Sequence, residues 1–236
     1  MAVIPLLFVA GKSVQVPEEY LILLFKRPLY LRMMWNSLII TIPVLIGQLL
    51  LAPLAAYGFW QCRWKYKEIL FYLYMIVMLM PLQLTLVPNY LVANWLGIQN
   101  SSLAIILPAI GSPFLIFFFK QNAYSFPKDT LEAARMDGLN EYQIFFKIFM
   151  PMMKSTYAAA GIFMFMASWN NYMWPLIALQ SDTKFTLPLV VANLASGFTP
   201  DYGMTMVGIV LSTLPTIIVF FTLQKSFVEG MSGSVK

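Results

Sequence analysis

Four stretches of this chain, 36–61, 69–119, 155–181 and 202–224, contain no Asp, Glu, Lys or Arg. A helix needs about 20 apolar residues to cross a hydrocarbon layer, and each of the four stretches is at least that long. Composition agrees, with 60% hydrophobic and 11% charged residues against the roughly 25% charged of soluble domains. Lipid offers no water to backbone N–H and C=O groups, so such spans are read as helices. The stretch 69–119 is long enough for two crossings, and Pro88, Asn89, Gly97 and Gln99-Asn100-Ser101-Ser102 in its middle predict a helical hairpin. The expected fold is all-α: a polytopic membrane helical bundle forming one domain over 1–236, with five full spans at 36–60, 69–90, 103–119, 156–178 and 203–224. Residues 1–10 are apolar but too short to cross, and they lack the basic start and cleavage site of a signal peptide. They are expected to be the remnant of a truncated first helix.

Basic residues are retained on the cytoplasmic side of short loops, which sets orientation. With 127–151 inside, Arg63, Lys65, Lys67, Lys120, Lys128, Arg135, Lys147, Lys154, Lys225 and Lys236 fall inside, and Lys12, Lys26, Arg27, Arg32 and Lys184 outside. That asymmetry puts the tail 225–236 in the cytoplasm, and it reads the net charge of +5 as a topogenic signal. A nucleic-acid surface would need basic residues interleaved with aromatics on a soluble face, which the chain lacks. There is no His, and Cys62 is alone. The commonest general base and metal ligand are thereby missing, no intrachain disulfide can form, and an enzyme is disfavoured.

Carriers coupled to protons or cations keep an ionisable group within the membrane, and the predicted spans contain none. They carry neutral amides and aromatics instead. Gln83, Asn89, Asn94, Asn170, Asn171, Tyr172 and Trp174 are candidates for a solute pathway, because amides donate and accept while flat rings cover the apolar faces of a hydroxyl-rich solute. The competing reading is packing: Asn and Gln cross-link membrane helices, Gln48 among them, and Trp and Tyr gather at interfaces. Pro43, Pro53, Pro81, Pro88, Pro108 and Pro113 each free a carbonyl and tend to kink a helix. Gly161 after Ala158-Ala159-Ala160 gives a small-residue face for close contact.

The one charged interruption between late spans, 127–151, predicts a helix-turn-helix. Pro127 suits a first helical turn, and Asp129 with Glu132 fits a capping box. Ala133 and Ala134 leave a flush face edged by Glu132, Arg135 and Asp137. Gly138 is suited to a left-handed end, and Asn140 with Gln143 predicts a second capping box. The spacing Glu132-Ala133-Ala134, Gly138, Ile148 and Pro151 resembles the EAA loop of permease subunits of binding-protein-dependent ABC importers, with Met150 where Leu is usual. Asn36-Ser37, the run from Trp169 to Leu176, Thr186-Leu187-Pro188 and the tail Gln224 to Gly230 are similar to the carbohydrate branch, in particular to the smaller membrane subunit of the maltose permease.

That resemblance implies a type I ABC importer transmembrane domain, and a sugar or oligosaccharide as cargo. It implies that Glu132, Ala133, Ala134, Arg135, Asp137, Gly138 and Pro151 couple to a dimer of ATP-binding subunits. It implies a second homologous permease and an extracytoplasmic solute-binding protein as further partners, with the membrane lipid around them. No G-x-x-x-x-G-K-[ST] loop occurs, so the chain is expected to hold no cofactor, ATP and Mg belonging to the partner. The alternatives are a permease for glycerol phosphate, a polyamine or a peptide, and a self-sufficient carrier or channel.

Overall fold

The computed structural model of the chain describes residues 28–62, 64–196 and 202–233, and every regular element among them is helical. Residues 1–10, read as a first-helix remnant, and the end of the tail at 234–236 lie outside the described residues. Helix α1 (Pro28–Gln61) runs unbroken through Pro43 and Pro53. After it come α2 (Lys67–Met78), α3 (Leu82–Trp95), α4 (Ser102–Ile110) and α5 (Pro113–Ala123). A polar helix α6 (Lys128–Met136) and α7 (Glu141–Met152) lead into α8 (Lys154–Trp169), α9 (Met173–Ala178), α10 (Leu187–Ser196) and α11 (Tyr202–Gly233). Leu31–Gln61, Ser102–Ala123 and Thr205–Lys225 are each long and apolar enough to cross a membrane. The total reaches five if the bent pairs α2–α3 and Glu141–Met152 with Lys154–Ala178 each count as one crossing.

The second expected span, 69–90, differs from that expectation. It is two helices meeting at 100° around Leu79–Pro81, and α3 continues to Trp95. Pro81 cannot donate a backbone bond and pushes the preceding residue out of the helical region. The N–H groups of Leu79 and Met80 accordingly turn back to Ile76 and Val77, at 3.0 and 3.2 Å, closing α2 tightly. Pro88 and Asn89, expected at the break of the hairpin, sit inside α3. The hairpin turns instead after Leu96, where Gly97 adopts φ +67°. There the Gly97 amide bonds Asn94 O at 2.9 Å and the Ile98 amide bonds Ala93 O at 3.0 Å, a Schellman ending that favours glycine.

The described residues fall into two compact units. One comprises residues up to Pro43, Leu86–Pro108 and Phe165–Phe220; the other comprises Val44–Thr85, Ala109–Met164 and the chain from Phe221. Pro108 leaves the Ala104 carbonyl without its helical donor, and in the first unit the buried Trp174 indole N–H supplies one at 3.0 Å. Helix α4 ends at Ile110, so the Ala109 carbonyl has no helical donor, and in the second unit Gln48 Nε2 reaches it at 2.7 Å. Also in the first unit, Asn36 donates to the carbonyls of Thr183 and Phe185, and Ser37 Oγ accepts from the Leu187 amide. Two sequence landmarks far apart in the chain thus form one latch. In the second unit Gly161 admits Leu223 to 3.4 Å of where a Cβ would stand, as its small-residue neighbourhood predicts. This unit also holds an aromatic core in which Tyr57, Trp60, Phe119, Phe126, Phe145 and Phe149 are buried together.

Candidate functional site

Helix α6 sits on that aromatic core. Leu131 and Ala134 face inward, 1% and 4% exposed, while Glu132, Ala133, Met136, Asp137 and Gly138 are exposed. The flush alanine face expected from Ala133 and Ala134 is therefore divided: Ala133 faces out and Ala134 packs against the chain's own core. The helix starts two residues earlier than the D-x-x-E reading requires. Pro127 is the N-cap, with φ −67° and ψ 112°, and no side chain caps the helix. Asp129 then lies in the first turn, where it complements the helix dipole.

The other end follows the sequence closely. Gly138 takes φ +83°, its amide bonds Arg135 O at 3.0 Å, and the Leu139 amide bonds Ala134 O at 3.1 Å. This second Schellman ending turns the chain into α7, whose Asn140 and Gln143 form the reciprocal capping box at 2.9 and 3.0 Å. Within α7, Phe145–Phe149 is π-wound, and the Met150 amide reaches back to the Phe145 carbonyl. The wide turn accommodates Pro151, which cannot donate to the turn before it. Pro151 itself is exposed, and α7 meets α8 at 76° just beyond it.

A polar cluster fastens this corner to α1. The Arg135 Nε donates to Glu141 Oε1 at 2.8 Å, and the Tyr57 hydroxyl donates to Glu141 Oε2 at 2.6 Å. With its amide oxygen turned toward Arg135, Gln61 accepts from Nη1 at 2.8 Å and also from Nη2. The hydrogen bond that Arg135 donates to Glu141 raises the guanidinium pKa above its ordinary value. Arg135, expected at a partner's edge, is half-buried and engaged within its own chain. Sequence reasoning missed Glu141, Tyr57 and Gln61, and also Met136 and Tyr142, which are 89% and 76% exposed. Met136 had a signal: it lies one turn from Glu132 on the polar face of an amphipathic helix.

Of the seven solute-pathway candidates, Gln83 belongs to the second unit and the other six to the first. Gln83, Asn94 and Tyr172 are exposed, and Asn89 and Asn171 are half-buried. The Asn170 side chain donates to Met166 O at 2.9 Å, one turn back in its own helix. Trp174 is 5% exposed and engaged with Ala104. Replacing Trp174 by Phe leaves that carbonyl unpaired, at a cost of about 1–3 kcal/mol. The expected result is a lower melting temperature for the detergent-solubilised protein with an unchanged half-saturation for uptake. A shifted half-saturation at unchanged melting would return Trp174 to the solute pathway.

Among the described residues no cluster of three His, Cys, Asp or Glu is placed to hold a metal. An all-helical chain with several membrane-length helices and a polar helical corner is a multi-pass membrane protein. The chain belongs to the family of binding-protein-dependent transport system inner membrane components, whose model matches residues 24–233. These are transport proteins, not enzymes. Over 202 residues it is 46% identical to the lactose transport system permease protein LacG of Rhizobium radiobacter, covering 86% of this chain and 74% of that one. It is 37% identical over 220 residues to the arabinooligosaccharides transport system permease protein AraQ of Bacillus subtilis (strain 168), covering 93% and 78%. A bacterial ABC transporter involved in the import of the acidic polysaccharide alginate shares the fold with a TM-score of 0.76, at 22% identity over 84% of this chain and 75% of that chain.

Proposed function

We propose that this chain is the permease subunit of an ATP-driven importer for a sugar or oligosaccharide, forming half of a translocation pore in a bacterial or archaeal plasma membrane. The observation that carries the coupling part is α6: a short helix with an inward face buried on an aromatic core and an outward face free of this chain's own packing. That outward face, Glu132, Ala133, Met136 and Asp137 with Gly138 at its end, suits a groove on a separate ATP-binding subunit. ATP and Mg belong to that subunit. The sugar part rests on the lactose and arabinooligosaccharide permeases, two relatives with neutral, hydroxyl-rich cargo, and on the uncharged amides along the spans. A second homologous permease completes the pore, and an extracytoplasmic solute-binding protein delivers the cargo.

Gln83, Asn89, Asn94, Asn170, Asn171 and Tyr172 are the residues proposed to meet solute, having exposed or half-buried side chains. Orientation follows the basic residues, with α6 and the tail after Gln224 cytoplasmic; the tail is a second surface for the ATP-binding subunit. Closure of that subunit around ATP pushes α6, and the motion passes through the α7–α8 bend toward the pore in an alternating-access cycle.

The test is uptake in cells lacking native transporters, with the chain co-expressed with its partner permease, ATP-binding subunit and solute-binding protein. Radiolabelled lactose, an arabinooligosaccharide and glycerol phosphate are compared. Saccharide uptake that needs both ATP and the binding protein is expected. Uptake of glycerol phosphate alone would overturn the sugar reading, and saccharide uptake by the chain alone without ATP would overturn the coupling reading.

A further inference from the structure

We propose that Tyr57 and Glu141, with Arg135, form a clasp that ties the α6–α7 corner to α1, so that a push on α6 is handed directly to a membrane-spanning helix. The proposal rests on the reading of α6 as the coupling element, and adds the route by which its displacement leaves it.

The geometry is specific. Glu141 stands in the first turn of α7, directly after the Asn140 cap, and offers its two carboxylate oxygens to different partners: Oε1 to Arg135 of α6 and Oε2 to Tyr57 of α1. One turn further along α1, Gln61 faces the Arg135 guanidinium. Two residues at helical spacing on α1 thus hold both sides of the corner that Gly138 turns. The Tyr57 ring is 7% exposed and meets Phe145 and Phe149 edge-on, at centroid distances of 5.5 and 5.1 Å. Its hydroxyl is therefore presented to Glu141 from a fixed ring, not from a mobile surface side chain. Charge-assisted bonds anchored in this way are stronger and more directional than neutral ones. An exposed ion pair by itself would contribute little, and Glu141 is more than half exposed; the buried tyrosine is what makes the cluster a mechanical joint. The outward face of α6 takes no part in it, so docking and clasping use different residues. Displacing the corner requires either breaking the Tyr57–Glu141 and Gln61–Arg135 contacts or moving α1.

Tyr57→Phe keeps the ring in its aromatic setting and removes only the hydroxyl; Glu141→Gln keeps an acceptor for Tyr57 and removes the charge that holds Arg135. Each is measured in the complete transporter, reconstituted in proteoliposomes, for complex yield, ATP hydrolysis and solute uptake. The expected result is an unchanged yield, near-normal hydrolysis and a fall of about tenfold in solute moved per ATP, the order of effect for a lost charge-assisted hydrogen bond. The double variant is expected to be no worse than the poorer single one, because both changes open the same clasp. An unchanged ratio of uptake to hydrolysis would overturn the proposal, as would additive effects or a parallel fall of yield, hydrolysis and uptake. If Tyr57→Phe is recovered poorly, Glu141→Gln carries the same test from the surface side. Failure of the unaltered chain to assemble with an ATP-binding subunit would instead strike the coupling reading, so the two failures are distinguishable.

Discussion

Replacing Gly138 by Asp is expected to reduce ATP-driven uptake by at least a hundredfold, while the chain remains in the membrane in near-normal amount. Gly138 holds φ +83°, and a Cβ built there meets nothing within 4 Å. The steric cost to the chain itself is thus backbone strain alone, roughly 1–2 kcal/mol for a non-glycine residue in the left-handed region. Asp is among the side chains that tolerate that region best. The added carboxylate lies beside Asp137, at a helix C-terminus where negative charge is unfavourable. The emptiness around Gly138 is what makes the site informative: if another subunit closes over it, the new side chain and charge are felt there and not in this chain's packing. Gly138→Ala serves as the control, with the strain but no charge and little bulk. A graded series, with Ala mild and Asp severe, at equal membrane abundance is the expected pattern. Normal uptake with Gly138→Asp would count against α6 as a docking helix, and equal loss with Ala and Asp would assign the effect to strain.

The all-helical fold with several long apolar helices was legible because the cost of charge in lipid removes Asp, Glu, Lys and Arg over long runs, a signal that survives without knowledge of packing. The same signal is blind to direction. It could not report that Pro81 turns the chain by 100° while Pro88 is carried inside a helix, since a proline's effect depends on what receives the freed carbonyl. Gln48 and Trp174 illustrate the point. As polar or amphipathic residues in apolar runs neither announces its partner, yet Gln48 satisfies a carbonyl left open by the end of α4 and Trp174 one that Pro108 orphaned, 61 and 70 residues away in the chain. Around α6, local chemistry was readable at Gly138 and at the Asn140–Gln143 box, where partners lie within a few residues. It failed at Asp129, because Pro127 took the cap position. It could not reach Tyr57, whose partner Glu141 is 84 residues distant. Patterns with short-range causes can be read from sequence; joints between helices need the fold.

The second large effect is expected at Glu68. Lys120, near the end of α5, is 2% exposed and holds its ammonium 3.0 Å from Glu68 Oε2 and 3.5 Å from the centroid of the Phe71 ring. The partners are not equivalent: the Glu68 side chain is 48% exposed and can be hydrated, whereas Lys120 cannot. Removing one member of a buried pair costs about 3–5 kcal/mol when it strands a charge, and the exposure of Glu68 scales that down to roughly 2–3 kcal/mol for Glu68→Ala. Lys120→Met leaves a carboxylate that water can solvate and places an unbranched thioether against Phe71, so a change under about 1 kcal/mol is expected. Thermal melting of the detergent-solubilised protein should therefore fall steeply for Glu68→Ala and little for Lys120→Met. Combining Lys120→Met with Glu68→Ala should restore most of the loss, because no cation is then left in the apolar wall. Equal losses from the two single changes, or no rescue in the pair, would mean that Lys120 reaches water by another route and does not depend on its contact with Glu68.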